Sequence, residues 1–580
     1  MQWIIRARPA DAADALMGFA DRRRPALPAE LVARVLLVWA LVAAIFVVTR
    51  WPAIAALQPA GHDDLLHLVQ LRDLFAGQGW FDLAQHRLAP PQGAELGWSR
   101  LGDLPAFVID TALRPLLGDG AARAALTLSP LLALAAAMLL TGRIVWLIFD
   151  AELVFYAAFL VALGTPLAAA MQPLELGQGA WQVVALLAAV NGLTARRARA
   201  GGWMIGLSLA ALLTLGLDTA PLALLVLFVL ARRWVARSSE RGWLVHAALA
   251  LFVGATALFY ATRGTALPDP ALALGPAWLA GLAVLAAGCG LIGAVPNLPR
   301  VPLVLALALA AAASAMTISL VDPLALAAPG TAILAGQPAF ALFSQAPAAL
   351  AQALLPPLLA LVATAALCGR AQAWLRGFWS DWAVLLAGAI AVAVVGSGQA
   401  ALAWALAIVP LAWQVRQWHR GAQKVRDPSR RIAAFAVVAA AVIPGMPMLA
   451  LGAALPSPAR AAAPPAAACD ASGLRLGTGR DLVFAPAALG TDLLVHTRHA
   501  VVVVDHWRLH DAARRAARLL DSAPGAALPG LRSSGAAYLA LCPNMAAAPG
   551  GLAARLLRGD PLPGLVPVAT GRGVRAWRIR

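Results

Sequence analysis

Between Gly61 and Pro105 the chain reads GHDDLLHLVQLRDLFAGQGWFDLAQHRLAPPQGAELGWSRLGDLP, which sets Asp63, Asp64, Asp73, Asp82, Glu95 and Asp103 among His62, His67, His86, Arg72, Arg87 and Arg100. Nothing else in the first 450 residues is so polar. An adjacent pair of carboxylates beside an apolar span suits two kinds of chemistry. It can hold a divalent cation against a phosphate, or one member can take a proton from an acceptor hydroxyl while the other shapes the local charge. If Asp63 to Phe75 is helical, Asp63, His67 and Gln70 share one face at i, i+4, i+7 spacing, with Asp64 one residue round. A plainer role is also open: Asp63 can cap the helix, with Asp64 supporting its dipole. Arg72, Arg87 and Arg100 can hold an anionic group by charge-assisted hydrogen bonds, or simply lie solvated along the surface. Trp80, Phe81 and Trp98 fit an aromatic anchor at a membrane boundary.

The elements around this stretch must be membrane spans. The 580 residues are 61% hydrophobic and 13% charged, with a mean hydropathy of +0.76. Apolar runs of about 20 residues recur, the length that crosses a hydrocarbon core. The net charge of +17 would suit nucleic acid, yet no basic stripe with interleaved aromatics occurs, and nucleic acid is not an expected partner. The arginines cluster instead in short turns between apolar runs, as cytoplasmic loops do. Residues 1–32 read as a cytoplasmic tail, and the first span, near Leu31–Val48, reads as a retained signal anchor. Further spans fall near 123–142, 151–170, 180–194, 202–216, 218–231, 244–262, 273–295, 301–320, 349–367, 382–396, 399–414 and 432–453. Arg143, Arg196, Arg232, Arg300, Arg370 and the run Arg416–Arg431 then all lie on one side, for roughly thirteen spans. The pairs 202–231 and 382–414 are short for two crossings each. With the N-terminus inside, an odd count places both the Asp63 loop and the C-terminus outside.

Residues 33–455 therefore form a transmembrane domain whose first outer loop is 51–122, and 456–468 a Pro/Ala linker of the extended kind. Residues 469–580 lose the long apolar runs and show short strand-like segments at Asp481–Pro486, Ala500–His506, Ala536–Cys542, Leu565–Ala569 and Val574–Ile579. Helical stretches near Leu509–Leu520 and Gly551–Leu557 lie between them, so a small α/β domain is expected. Cys469 and Cys542 fall in this domain and, outside the cytosol, can form a disulfide. No phosphate-binding glycine loop, HExxH or CxxC occurs, and the GxGxxG at Gly288–Gly293 lies inside an apolar span rather than after a strand, which leaves an ATP-driven pump or a dinucleotide enzyme without support. A transporter would want ionisable groups within the spans. Apart from Asp150, Glu152 and Asp218, all near span ends, the spans are nearly bare.

The stretch Gly61–Pro105 resembles the first outer loop of bacterial membrane proteins of the GT-C glycosyltransferase superfamily, whose pattern runs DD, Arg-Leu, VRD, GQGWFD, Q.R, PP.G, HWSR and DLP. VVVVDHWRLHDAARR and GAAYLALCP are similar to the superfamily's end domain, with His506, Arg508, Tyr538, Cys542 and Pro543 at its His-Arg and Tyr-x-x-x-Cys-Pro positions. The resemblance implies a GT-C-like fold of about thirteen spans with a C-terminal periplasmic α/β domain in the bacterial inner membrane. It implies a transferase that takes sugar from a polyprenyl-phosphate donor to an envelope glycan or lipid acceptor. Asp63 would be the catalytic carboxylate and possible ligand of Mg or Mn, and Asp64 its companion. His67, Arg72, Arg87, Trp98, Arg100, His506 and Arg508 would contact substrate. Departures are specific. His67 stands for an Arg, and Gly97 for the His of HWSR. Leu174–Gln182 lacks an expected Asp-His-His run, for which Glu175 and Gln178 are the available substitutes, and Asp218 stands where a Glu is expected. The second reading is a catalytically inactive GT-C-fold protein that binds or assembles envelope glycans.

Overall fold

The computed structural model describes residues 27–265, 273–444 and 471–580, apart from 328, 331–332, 334–338, 372, 472–473, 475, 478 and 569–572. Most of the expected N-terminal tail, the Pro/Ala linker and Cys469 lie outside the described residues. The chain divides into two compact units, one of residues 1–57 and 98–455, the other of 58–97 and 456–580. The expected first outer loop, 51–122, is thus split: its middle, 58–97, groups with the C-terminal domain, and its two ends with the spans.

The first unit is a bundle of apolar helices. Nine helices among the described residues are long and apolar enough to cross a membrane, from Ala29–Thr49 to Leu375–Val395, and two shorter apolar ones, Ala151–Leu163 and Gly179–Gly192, join them. A helix overlaps each expected span, including both members of the pairs read as short, Ala198–Leu215, Ala220–Ala236, Ala373–Val395 and Ala400–Gln423. The expected span 151–170 is two helices, Ala151–Leu163 and Thr165–Ala170, and the last, 432–453, is helical over Pro428–Val442 and then runs into residues outside those described. Among the described residues, nine helices of spanning length thus stand against an expected thirteen spans. Ser99 to Leu117, read as polar loop, is instead a helix, Arg100–Leu117, opened by the Ser99 side chain accepting from the Leu101 amide.

In a bundle of such helices an unmet backbone carbonyl is costly, and three internal prolines show how the fold avoids it. Pro130, Pro356 and Pro410 lack the amide hydrogen that would meet the carbonyl four residues earlier. Each of those carbonyls takes a donor from another segment. Leu126 receives the Leu174 amide at 3.3 Å, Gln352 the Trp404 indole at 3.0 Å, and Leu406 the Trp382 indole at 2.9 Å. Trp382 and Trp404 are almost wholly buried, so proline and tryptophan act together as interhelical joints. At one end, Arg416 closes on Asp150 at 2.6 Å, and Asp150 also caps the helix Ala151–Leu163 through the Leu153 amide.

The second unit is α/β. Its five-stranded sheet has the order β4-β3-β5-β7-β6, made of β3 Leu482–Phe484, β4 Ala500–Val501, β5 Tyr538–Leu541, β6 Leu565–Val568 and β7 Arg575–Ile579. The strands β4, β3 and β5 are parallel, and β7 returns antiparallel to both β5 and β6. All five lie within the segments read as strand-like. The hydrophobic core joins Phe484, Leu539, Leu541 and Trp577 to Leu520, Leu531 and Leu552 from the covering helices.

Residues 58–97 complete this unit. A hairpin of β1 Ala84–Gln85 and β2 Ala94–Glu95 brings Leu88 beside Val501 in parallel. The Val501 amide donates to Arg87 O and the Ala89 amide to Val501 O, each at 2.8 Å. The loop therefore pairs with the open edge of β4, an edge that would otherwise expose unpaired backbone. The helix His62–Phe75 packs on the helix Ala487–His496. That second helix lies flush on the backbone that follows β4, because a Cβ on Gly490 would stand 2.0 Å from Val503 O.

Candidate active site

The polar end of the second unit is built from two helix and strand termini. The helix His62–Phe75 starts at Gly61, which has no side chain to cap with, so Asp63 and Asp64 stand in the first turn rather than at the cap. Both lie near the positive end of the helix dipole, which favours a negative charge there. Gly61 makes room for Asp64: a Cβ in its place would stand 2.5 Å from the Asp64 Oδ2. Asp64 is thus folded back and buried, while Asp63 is exposed. The two other members of the expected face point inward, His67 and Gln70 each being 1% exposed.

The chain leaves β4 as Val502, Val503, Val504 and Asp505. Loops at the carboxyl ends of parallel strands are where open sheets present ligand-binding groups. Asp505 is exposed there, and its charge reaches Asp63. The surrounding protein pushes the Asp63 carboxyl above its ordinary range, and the charges of Asp64 and then Asp505 push it further, opposed by His62 and His67. A carboxylate that is accessible, yet held by its neighbours nearer to neutral pH than a free aspartate, is suited to accept a proton.

His506 turns the other way. Burial, and then the Arg508 charge, push its imidazole down to about 3, so it is neutral at physiological pH. The Arg508 Nη1 donates to Glu95 O at 2.8 Å, and its guanidinium lies over the Trp507 ring at 5.6 Å. This arrangement fastens the β1-β2 hairpin to the loop that carries Asp505.

Arg72 and Arg87 close on backbone. Their Nη1 atoms donate to Val495 O at 3.5 Å and Thr497 O at 2.9 Å, carbonyls at the C-terminal end of Ala487–His496, where cations are favoured. Burial is the first cause lowering the pKa of each guanidinium. Nine residues of helix separate Arg72 from Asp63, about 13 Å along the axis. The structure therefore places these two arginines in the docking of the loop helix, at the end away from the acidic pair.

The remaining expected site residues belong to the membrane unit. Arg100 is fully buried and paired with Asp103 at 3.1 Å, which leaves it no exposed surface. Gln178 donates to Ser99 O at 3.0 Å and so holds the start of the helix Arg100–Leu117. Gln178 ends the 171–178 segment, whose path is fixed by the Leu174 bond to the carbonyl freed by Pro130. Glu175 and Trp98 are half-buried. Asp218, in the turn before the helix Ala220–Ala236, accepts from Gln182 at 3.1 Å and from Gln399 at 2.6 Å. Sequence reasoning missed Asp505, Gln182 and Gln399. Asp505 had one available signal: it is the first acidic residue after the Val501–Val504 run.

A divalent cation on Asp63 would need further oxygen or nitrogen ligands. Among the described residues no group of three His, Cys, Asp or Glu is placed to hold a metal ion. The residues present do not form a ready ligand set.

No family model matches the chain, and no curated protein matches it. Solved structures do match in fold. The oligosaccharyltransferase AglB from Archaeoglobus fulgidus, in complex with an inhibitory peptide and a dolichol-phosphate, superposes with a TM-score of 0.63 at 13% identity over 94% of this chain and 74% of that one. The Archaeoglobus fulgidus oligosaccharyltransferase tethered to an acceptor peptide with the NVT sequon gives 0.60 at 13% identity, covering 93% and 73%. Its complex with Zn and sulfate gives 0.57 at 14% identity, covering 92% and 72%. The chain has the GT-C fold of these enzymes, with a small sheet domain at its C-terminal end.

Proposed function

We propose that the protein is a glycosyltransferase that moves a sugar from a polyprenyl-phosphate donor to a periplasmic or lipid-linked acceptor. It would work at the outer face of the bacterial inner membrane, with the N-terminus cytoplasmic and residues 469–580 periplasmic. The observation that carries this reading is Asp63: a solvent-accessible carboxylate in the first turn of a helix, raised by the loss of part of its water to the surrounding protein and then by Asp64 and Asp505, in a chain with the fold of oligosaccharyltransferase. In the reaction Asp63 takes the proton of the acceptor hydroxyl. The acceptor oxygen then bonds to the anomeric carbon, whose bond to the phosphate oxygen breaks with inversion, and polyprenyl phosphate leaves with the bonding electrons. The surrounding protein, then Asp64 and Asp505, make Asp63 a stronger base than a free aspartate. Arg508 and His506 shape the hairpin and loop beside it. Because the described residues form no ready set of metal ligands, no step here passes through Mg or Mn.

The missing Asp-His-His run favours a second reading, a GT-C-fold protein that binds or assembles envelope glycans without turnover. One experiment separates the two. The purified full chain is given a radiolabelled polyprenyl-phosphate sugar, and both bound and transferred label are followed. Transfer that Asp63→Asn abolishes while donor binding persists supports the enzyme. Binding without turnover in the wild type supports the second reading, and neither binding nor turnover overturns both.

A further inference from the structure

The membrane unit contains a cavity of about 580 Å³ that belongs to none of the groups above. Its wall runs from Leu213 and Ala220 at one end to Arg232 and Val235 at the other. Ala220 and Val235 are fifteen residues apart in one helix, so the cavity is about 22 Å long, most of a leaflet pair's hydrocarbon thickness. It opens sideways, since Leu224 and Phe228 on the helix Ala220–Ala236 and Val304 on the helix Arg300–Val321 line it and are 58%, 56% and 48% exposed. A long, narrow, apolar space reached from the side has the shape of a hydrocarbon chain.

The polar groups at the wall say what head the chain carries. Arg232 and Arg233 share one carboxylate, that of Asp381, which is 3% exposed. Two guanidinium groups against one carboxylate leave an excess positive charge at the Arg232 end of the cavity. The Arg232 Nη1 also donates to the Ser380 hydroxyl at 3.1 Å, but its Nε is buried with no acceptor. A buried donor of this kind wants an acceptor oxygen. Further along the wall, the Trp278 indole is 6% exposed, and its N–H likewise has no acceptor.

We infer that this cavity binds one acyl chain of an anionic phospholipid, with the lipid phosphate at Arg232. The phosphate balances the charge that Asp381 leaves over, and it does so against an Arg232 side chain that is 39% exposed. The site rests on the membrane unit alone, and its test is separate from that of the transferase reading.

The test uses the full chain, delipidated in an uncharged detergent and titrated with phosphatidylglycerol or phosphatidylcholine of equal chain length, with bound lipid counted by native mass spectrometry. Wild type should prefer phosphatidylglycerol by about fivefold, the preference one cation gives near an anionic surface. Arg232→Gln should reduce that preference to near one while leaving the protein folded, because Arg233 still neutralises Asp381. Ala311→Trp, which projects into the cavity from the exposed helix Arg300–Val321, should lower retention of both lipids. Equal binding of the two lipids by wild type, or an unchanged preference in Arg232→Gln, overturns the headgroup assignment. Retention of a polyprenyl lipid in place of phospholipid overturns the choice of occupant, and unchanged retention in Ala311→Trp overturns the cavity as the site.

Discussion

The joint between Trp382 and Pro410 makes a quantitative claim about the scaffold. Pro410 leaves the Leu406 carbonyl without its helical partner, and Trp382, 1% exposed, donates to it at 2.9 Å. Trp382→Phe keeps most of the ring and removes the donor. The direct cost combines lost ring contacts with a buried carbonyl left unmet, about 1–3 kcal/mol for the carbonyl. Within membranes the measured worth of such bonds is smaller, about 0.6 kcal/mol on average and up to about 1.7, because the unfolded chain also finds partners. Pro410→Ala restores an amide at the position that would meet Leu406 in a regular helix, so in that background the indole bond is redundant. Trp382→Phe should then cost less by the worth of the bond, giving a coupling of about 1 kcal/mol in a double-mutant cycle. Reversible unfolding of the full chain in mixed micelles reads all four stabilities. Additivity within about 0.3 kcal/mol would refute the idea that the tryptophan serves the carbonyl that the proline frees. The joint also ties the two helices flanking the turn Ser397–Gln399, so its failure should loosen the Gln399 bond to Asp218.

Other perturbations test the second unit. Asp63→Asn should abolish transfer, and it should also stabilise the fold at neutral pH. The folded carboxyl is raised above its unfolded value, so folding disfavours the ionised form. That penalty is absent below the unfolded pKa and grows as pH rises through the folded one. Thermal unfolding should show a gain at pH 7 that vanishes near pH 3, and an equal gain at both would refute the electrostatic account. Gly490→Ala would put a Cβ 2.0 Å from Val503 O. Such overpacking costs about 1–3 kcal/mol, and hydrogen exchange should quicken across the helix Ala487–His496 and the 502–505 loop, while unchanged protection would show that the helix is not seated on that loop. If residues 469–580 lie outside the cytosol, thiol alkylation of unreduced protein should label Cys289 and Cys368 under denaturing conditions and spare Cys469 and Cys542; labelling of all four would exclude the bridge.

How far the sequence reached differs between the two units for physical reasons. The spans were legible because burial in lipid demands about 20 apolar residues each, and the five strands because short β-branched and aromatic runs stand between turn residues. Two helices of the second unit were not legible. Ala487–His496 carries Gly490 and Thr491, and Pro524–Ser533 carries Gly525, Pro529 and Gly530, residues with poor helix propensity that burial against the sheet overrides. The helix Arg100–Leu117 hid in the same way, its charges looking like loop until Arg100, Asp103 and Asp110 proved buried.

The arginines show where local sequence stops carrying information. Arg72 and Arg87 sit beside an acidic pair in sequence, and a phosphate ligand is a natural reading of that neighbourhood. Their partners are the carbonyls of Val495 and Thr497, more than 400 residues away, and no spacing rule within the loop could have named them. The carboxylate that raises Asp63 beyond its neighbour Asp64 is Asp505, equally distant in sequence. Both links exist because residues 87–89 pair with the edge of β4, which makes the loop part of the C-terminal domain. Removing that domain should therefore cost the Asp63 helix its footing as well as its third carboxylate, so the acidic pair is the chemistry of a folded unit and not of a loop by itself.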